Sequence, residues 1–285
     1  MRSLKSNVGQ RMLPSIRDTI EFYGLATKKS LGQHFLTDIN LLAKIVRAAG
    51  VLEGVHVVEI GPGPGGLTRA ILESAAASVN AVEKDSRCIA ALTPLADYYP
   101  GRFHLHEADA LNISLAELAP APRAVIANLP YNVGTQLIVN WVHDVAQHGT
   151  AALQRMTVML QKEVAQRMVA RVGDDAYGRL SVLLHQYCDA TIMFDVPSGA
   201  FSPPPKVISS ILHARFLDAP REDVPLASLE RVVASAFNHR RKMLRQSLKP
   251  LGGEALCEKA GIDPTLRAEH CDLAMFARLG RALGA

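Results

Sequence analysis

Val55-His56-Val57-Val58-Glu59-Ile60-Gly61-Pro62-Gly63-Pro64-Gly65-Gly66-Leu67-Thr68-Arg69-Ala70-Ile71-Leu72 runs from a β-branched apolar segment through a glycine-rich turn into a helical segment. The same rhythm returns downstream. Ser78–Glu83 reads as a second strand and Asp85–Leu92 as its helix, followed by Phe103–His106 as a third strand. The run Arg123-Ala124-Val125-Ile126-Ala127 is a fourth and Met156–Leu160 a fifth. Such alternation specifies an α/β fold, with a mostly parallel, Rossmann-like sheet covered by helices and ligand sites at the carboxyl ends of its strands. Thr191–Val196 and Val207–Leu212, separated by the stiff turn Phe201-Ser202-Pro203-Pro204-Pro205-Lys206, read as a terminal antiparallel hairpin added to that sheet. Upstream, Asp38 is placed to cap a helix through Leu41, Leu42, Ile45, Val46 and Ala49 that stops at Gly50. Past Asp218-Ala219-Pro220 the pattern turns helical, with Leu229, Val232, Val233, Ala236 and Phe237 on one face, which implies a small all-α C-terminal domain.

A chain of 285 residues with 48% hydrophobic composition can fill a large domain and a smaller one. No apolar run approaches the roughly 20 residues that span a bilayer, and no apolar block of a secretory signal follows the N-terminus. No membrane association is therefore expected. Residues 1–17 carry Arg2, Lys5, Arg11 and Arg17 and no acid, so residues 1–27 are expected to be a frayed basic arm, with a transit segment as the alternative. Cys88, Cys188, Cys257 and Cys271 are scattered without a Cys-x-x-Cys pair or a His cluster. They read as reduced thiols of a cytoplasmic protein, forming neither a metal site nor a disulfide framework. The net charge of +4 decides little, but Arg231, Arg240, Arg241, Lys242, Arg245 and Lys249 fall in a stretch without an acid, a surface suited to phosphates.

The glycine loop permits two readings. Gly61, Gly63 and Gly66 match the Gly-x-Gly-x-x-Gly of dinucleotide folds, which hold a pyrophosphate on backbone N–H groups. Pro62 and Pro64 have no N–H to offer, and the Glu59 carboxylate beside the loop repels phosphate. A nucleoside with a cationic end and no phosphates suits it better. S-adenosyl-L-methionine has that character: Glu59 favours the cationic end, Glu83 at the second strand end accepts from the ribose hydroxyls, and Asp109 after the third accepts from the adenine amine.

The fourth strand leaves through Asn128-Leu129-Pro130-Tyr131. An amide oxygen at Asn128 and the Leu129 carbonyl can accept from an exocyclic amine while Tyr131 stacks on the ring, a combination suited to a flat amino-bearing group such as adenine.

Taken together, Ser30-Leu31-Gly32-Gln33-His34-Phe35-Leu36, Glu59-Ile60-Gly61-Pro62-Gly63, Asn128-Leu129-Pro130-Tyr131-Asn132 and Phe201-Ser202-Pro203-Pro204-Pro205-Lys206-Val207 resemble the ribosomal RNA adenine dimethyltransferase family. The likeness extends from about residue 28 to the C-terminus through Leu160–Val164, Tyr177–Ser181 and Ala236–Leu244, and is strongest to the branch acting on small-subunit RNA. It implies a methyltransferase domain over residues 28–217 and a helical RNA-binding domain over 218–285. It further implies transfer of two methyls to N6 of each of two adjacent adenosines in the 3′-terminal hairpin of small-subunit ribosomal RNA, within the pre-30S particle, by a monomer. Cofactor contacts carry over to His34, Leu36, Gly61, Glu83, Asp109 and Asn128, with Glu59 and Gly63 added from the loop. Many members have asparagine where this chain has His34, so the contact that carries over there is through the backbone. Phe201, held by the prolines, is implied as a second stacking face beside Tyr131, and Arg240, Arg241, Lys242 and Arg245 as RNA contacts on a helix. The alternatives on this fold are the related methylase of large-subunit RNA, a protein-glutamine methyltransferase, and an assembly factor without activity.

Overall fold

The β-branched and apolar runs pair as the alternation requires. In the computed structural model, which describes residues 13–25 and 34–284, nine strands form. They are β1 (Phe35–Leu36), β2 (His56–Ile60), β3 (Ser78–Glu83), β4 (Phe103–Glu107), β5 (Arg123–Asn128), β6 (Arg155–Gln161), β7 (Cys188–Val196), β8 (Phe201–Ser202) and β9 (Ser209–Phe216). Seven make one sheet in the order β4-β3-β2-β5-β6-β9-β7, and β1 pairs with β8 in a separate two-stranded ribbon. The pairs β4–β3, β3–β2, β2–β5 and β5–β6 are parallel, while β9 is antiparallel to both β6 and β7. Strands β2, β3 and β5 are buried along almost their whole length, as parallel strands covered on both faces must be.

The connections from β2 lead to β3 and β4 on one side, and those from β5 to β6 on the other. Strand order therefore reverses between β2 and β5, and a crevice opens beyond their carboxyl ends. Every sequence-expected strand is present. The expected hairpin is there too, with its second arm, β9, inserted next to β6 and a bulge at Met193 between the Ile192 and Phe194 pairings. Phe201 and Ser202 do more than turn the chain: Phe201 pairs with Leu36 and Ser202 with Phe35, which fastens the segment ahead of Asp38 to the segment leaving β7.

Two further differences from the sequence reading have local causes. Part of the expected arm is folded. Ile16–Phe22 is a helix started by a capping box, in which the Ser15 hydroxyl accepts from the Asp18 amide at 3.1 Å and Asp18 accepts from the Ser15 amide at 3.2 Å. Leu25 is buried against Phe35, Cys88 and Ala91, and Arg69 donates to the Pro14 carbonyl and to Thr19, so burial outweighs the basic character of this stretch. Arg2, Lys5 and Arg11 lie outside the described residues, as does Ser30–Gln33. The break at 218 is crossed by packing as well. The helices Leu226–Asn238, Gly253–Ala260 and Leu273–Gly284 share their core with Ala170, Tyr177 and Val182 from the preceding segment. The Tyr177 hydroxyl donates to the Cys271 carbonyl at 3.0 Å. Gly280 lets two elements approach closely, since a Cβ there would meet Val224 at 2.8 Å.

All four cysteines are buried free thiols, and burial raises each of them, Cys188 to about 12. Among the described residues no cluster of His, Cys, Asp and Glu has the makings of a metal site, and no helix is long and apolar enough to cross a membrane.

Candidate active site at the carboxyl edge of the sheet

The turn after β2 spends its own donors. Gly61 N–H donates to the Val82 carbonyl at 2.9 Å, Gly63 N–H to Glu83 Oε2 at 3.3 Å and Gly65 N–H to the Pro62 carbonyl at 3.0 Å, while Pro62 and Pro64 have none. No amide between residues 61 and 65 is left to hold a pyrophosphate. Gly63 has φ +56°, and a Cβ there would sit 3.0 Å from the Phe35 ring, so both backbone conformation and the approach of Phe35 call for glycine. This turn and the ends of β2, β3, β4 and β5 enclose one cavity, lined among others by Glu59, Gly61, Glu83, Asp109, Asn128 and Tyr131.

The acids are distinct in character. Glu59 is fully buried, and its Oε2 has no hydrogen-bond partner. Burial pushes its carboxyl up to about 8, with Glu83 nearby adding to the shift and Thr68 opposing it. Glu83 is also buried, but its Oε1 accepts from the amides of Lys84 and Asp85 at 2.8 and 2.9 Å. Those bonds hold it in place and leave lone pairs for a further donor. Asp109 accepts from the Leu111 amide at 3.1 Å and pairs with Lys84 at 3.5 Å across the opening.

Around Asn128 the structure adds what the sequence did not show. Asn128 Nδ2 donates to the His34 carbonyl at 3.1 Å, which commits the nitrogen side of the amide and leaves Oδ1 as the acceptor. The Tyr131 hydroxyl bonds to Ser209 Oγ at 2.6 Å, and burial raises its pKa, so it stays a neutral phenol. His34 Nδ1 lies 2.9 Å from the Pro203 carbonyl. Below the loop that follows, Asp195 accepts from Lys162 Nζ and from Ser210 Oγ, each at 2.6 Å. Ser209, Ser210 and Asp195 were not singled out from sequence. The only signal for the serines was their place at the start of β9, which the register sets against Gln161 at the end of β6.

A family model described as ribosomal RNA adenine dimethylase matches residues 24–283. The chain belongs to the ribosomal RNA adenine dimethylase family. It is 54% identical over 271 residues to the ribosomal RNA small subunit methyltransferase A of Sinorhizobium medicae, covering 95% of this chain and 98% of that one. Among solved structures, a dimethyladenosine transferase from Plasmodium falciparum superposes with a TM-score of 0.70 at 26% identity, covering 86% of this chain and 96% of that one. The 23S rRNA methyltransferase ErmE gives 0.65 at 26% identity over 88% of this chain and 100% of its own. Membership of this dimethylase family makes the chain an rRNA adenine dimethyltransferase on a Rossmann-like methyltransferase sheet.

Within this dimethylase, His34, Leu36, Glu59, Gly61, Gly63, Glu83, Asp109, Asn128, Leu129 and Tyr131 all line the one cavity. Phe201 departs from its expected place. It is 5% exposed and packed in the core with Leu36 and Leu42, lying T-shaped to His34 at a centroid distance of 6.4 Å and 79° between planes. Its pairing with Leu36 draws it inward. The cations differ as well. The helix Leu226–Asn238 ends before them, so Arg240, Arg241 and Lys242 occupy the turn that follows, where Lys242 N–H donates to the His239 carbonyl. Arg240 is held by Glu269 at 3.0 Å, whereas Arg241, Lys242 and Arg245 are exposed.

Proposed function

We propose that this enzyme uses S-adenosyl-L-methionine to dimethylate N6 of two adjacent adenosines in the 3′-terminal hairpin of small-subunit ribosomal RNA, acting as a cytoplasmic monomer on the pre-30S particle. The observation that carries the reading is the donor set of the cavity. Between residues 61 and 65 its glycine turn has no spare amide for a phosphate, the buried Glu59 leaves one carboxylate oxygen, Oε2, without a partner, and acceptors stand at the ends of successive strands. Such a set fits a nucleoside with a cationic amino-acid end. Glu83 would hold the ribose, Asp109 the adenine amine, Glu59 the cationic end, and the backbone at His34, Leu36, Gly61 and Gly63 the intervening path. When bound, S-adenosyl-L-methionine supplies an electrophilic methyl on a sulfonium.

The chain's own part is alignment. Asn128 Oδ1, fixed by the bond from Nδ2 to His34, and the Leu129 carbonyl accept from N6 and favour the pyramidal amine whose lone pair can attack. An amide cannot serve as a general base at neutral pH, so the N6 proton leaves to solvent after transfer. Tyr131 keeps a ring face toward the turned-out base because its hydroxyl is tied to Ser209. Arg241, Lys242 and Arg245 present three exposed cations for RNA phosphates.

The small-subunit substrate is supported by likeness to relatives named for that subunit. The test is incubation of the protein with labelled cofactor and either small-subunit or large-subunit particles lacking the modification. Label is expected in the small-subunit RNA as N6,N6-dimethyladenosine. Label confined to large-subunit RNA would overturn the substrate assignment.

A further inference from the structure

We infer that Arg69 is a positioning residue for the cofactor turn: it fastens the helix Ile16–Phe22 onto the helix Gly66–Leu72, and that docked helix holds the turn in the shape that receives S-adenosyl-L-methionine. The inference rests on the cofactor reading above. Arg69 lies on the helix that leaves the glycine turn, and its Nε is buried without a hydrogen-bond partner. Burial also pulls the guanidinium below its ordinary value. A desolvated cation of this kind destabilises the fold unless its remaining donors hold something in place. What they hold is the N-terminal segment: Nη1 donates to the Pro14 carbonyl and Nη2 to Thr19 Oγ1 at 3.3 Å. Thr19 is buried and itself donates to the Ser15 carbonyl at 2.9 Å, so the connection reaches the capped first turn of the helix.

The docked segment presses on the cofactor turn at two glycines. A Cβ on Gly66 would meet Ile16 at 3.3 Å and the Leu36 carbonyl at 3.0 Å, and one on Gly63 would meet the Phe35 ring at 3.0 Å. Ile20, Tyr23 and Leu25 pack in one cluster with Phe35. Gly63 in turn donates to Glu83 Oε2, on the carboxylate that would hold the ribose. Gly63 and Gly66 line the cavity, whereas Arg69 and residues 13–25 do not. Glycine-rich backbone loses the most freedom on ordering, and a turn already packed by Ile16 and Phe35 enters binding with that ordering done. With the helix undocked, the turn holds its binding shape for only part of the time, and the apparent affinity falls by that fraction.

Arg69→Met keeps the bulk and removes the donors. Pro14 is exposed, so its carbonyl turns to water, and Thr19 keeps its bond to Ser15. No group is left buried and unsatisfied, and the melting temperature is expected to stay close to that of the parent. The parent, Arg69→Met and Arg69→Lys are compared as full-length proteins by calorimetry with S-adenosyl-L-methionine. Hydrogen exchange is followed at the amides of Tyr23 and Leu25, which bond to the Thr19 and Ile20 carbonyls at the end of the helix. Arg69→Met is expected to weaken cofactor binding by roughly fivefold or more, the low end of ordinary coupling between sites. Arg69→Lys, which keeps a donor for Pro14, is expected to fall between the two. In methyl transfer to small-subunit particles, KM for the cofactor should rise while the rate at saturation stays within about twofold of the parent, because Arg69 touches no reacting atom. Coupling is reciprocal, so saturating cofactor should slow exchange at Tyr23 and Leu25 in the parent by the same factor. Unchanged cofactor affinity in Arg69→Met overturns the proposal. So does a weaker affinity joined to a clearly lower melting temperature and no cofactor effect on exchange, which is general destabilisation. A parent that binds no S-adenosyl-L-methionine overturns the cofactor reading itself, and the proposal with it.

Discussion

Two residues in the cavity carry opposite electrostatic instructions. Glu59 is pushed up to about 8 from its ordinary 4.5 by burial, so the folded state binds its proton more tightly than the unfolded chain. Below pH 4.5 both states are protonated and the group contributes nothing. Between 4.5 and about 8 the unfolded chain has released the proton and the folded one has not, so stability falls with rising pH by up to about 1.4 kcal/mol per unit. Glu59→Gln should remove that slope in denaturant titrations across this range; an unchanged slope would mean that Glu59 is already ionised in the free protein. A cation bound beside Glu59 favours the charged form, so cofactor affinity should rise with pH up to about 8 in the parent and be flatter in Glu59→Gln. Asn128 is governed by hydrogen-bond polarity instead. Asn128→Asp would set a carboxylate against the His34 carbonyl, two acceptors facing each other. It should slow single-turnover methyl transfer at saturating RNA and cofactor by more than tenfold, whereas a rate within twofold of the parent would remove Asn128 from N6 alignment.

At the scale of elements, termini and turns do most of the positioning. From Gly61 to Gly65 the turn spends its own amides, so a sequence matching a dinucleotide signature offers no donor there to a pyrophosphate. The strand ends were legible because a parallel sheet opens where its apolar runs stop, and Glu83 and Asn128 close β3 and β5 while Asp109 follows β4. The basic stretch was legible as charge and illegible as shape. The helix ends at Asn238, Arg240 pairs with Glu269, and the exposed set contracts to Arg241, Lys242 and Arg245. Replacing those three by Ala should weaken particle binding and lower the log–log salt slope by about 0.7 to 0.9 for each phosphate that the variant no longer neutralises. Arg240→Ala should leave the slope unchanged, its loss being a partly exposed ion pair worth about 0–1 kcal/mol of stability. A parental slope in the triple variant would show that these cations face solvent alone.

For the whole molecule, two regions separated by composition are joined by packing. Ala170, Tyr177 and Val182 belong to the core of the C-terminal helices, and Tyr177 reaches the Cys271 carbonyl. A chain ending at residue 217 would expose that apolar face, so it should melt well below the full chain and aggregate; equal melting temperatures would make the helical region an independent appendage. Tyr177→Ala in the full chain should cost about 3–5 kcal/mol in denaturant unfolding, the range for removing a large buried aromatic ring. The sequence by itself determined the α/β alternation, the sheet's opening edge, the acids around the cofactor side and the family, because periodicity and turn chemistry are local and motif order is linear. Only the tertiary structure decided that residues 16–22 fold onto the sheet domain, that Phe201 is drawn into the core by Leu36, and that the His34 carbonyl accepts from Asn128. Each of these depends on contacts between segments far apart in the chain, where burial and hydrogen-bond partners are set by which strands pair, and no local pattern encodes that pairing.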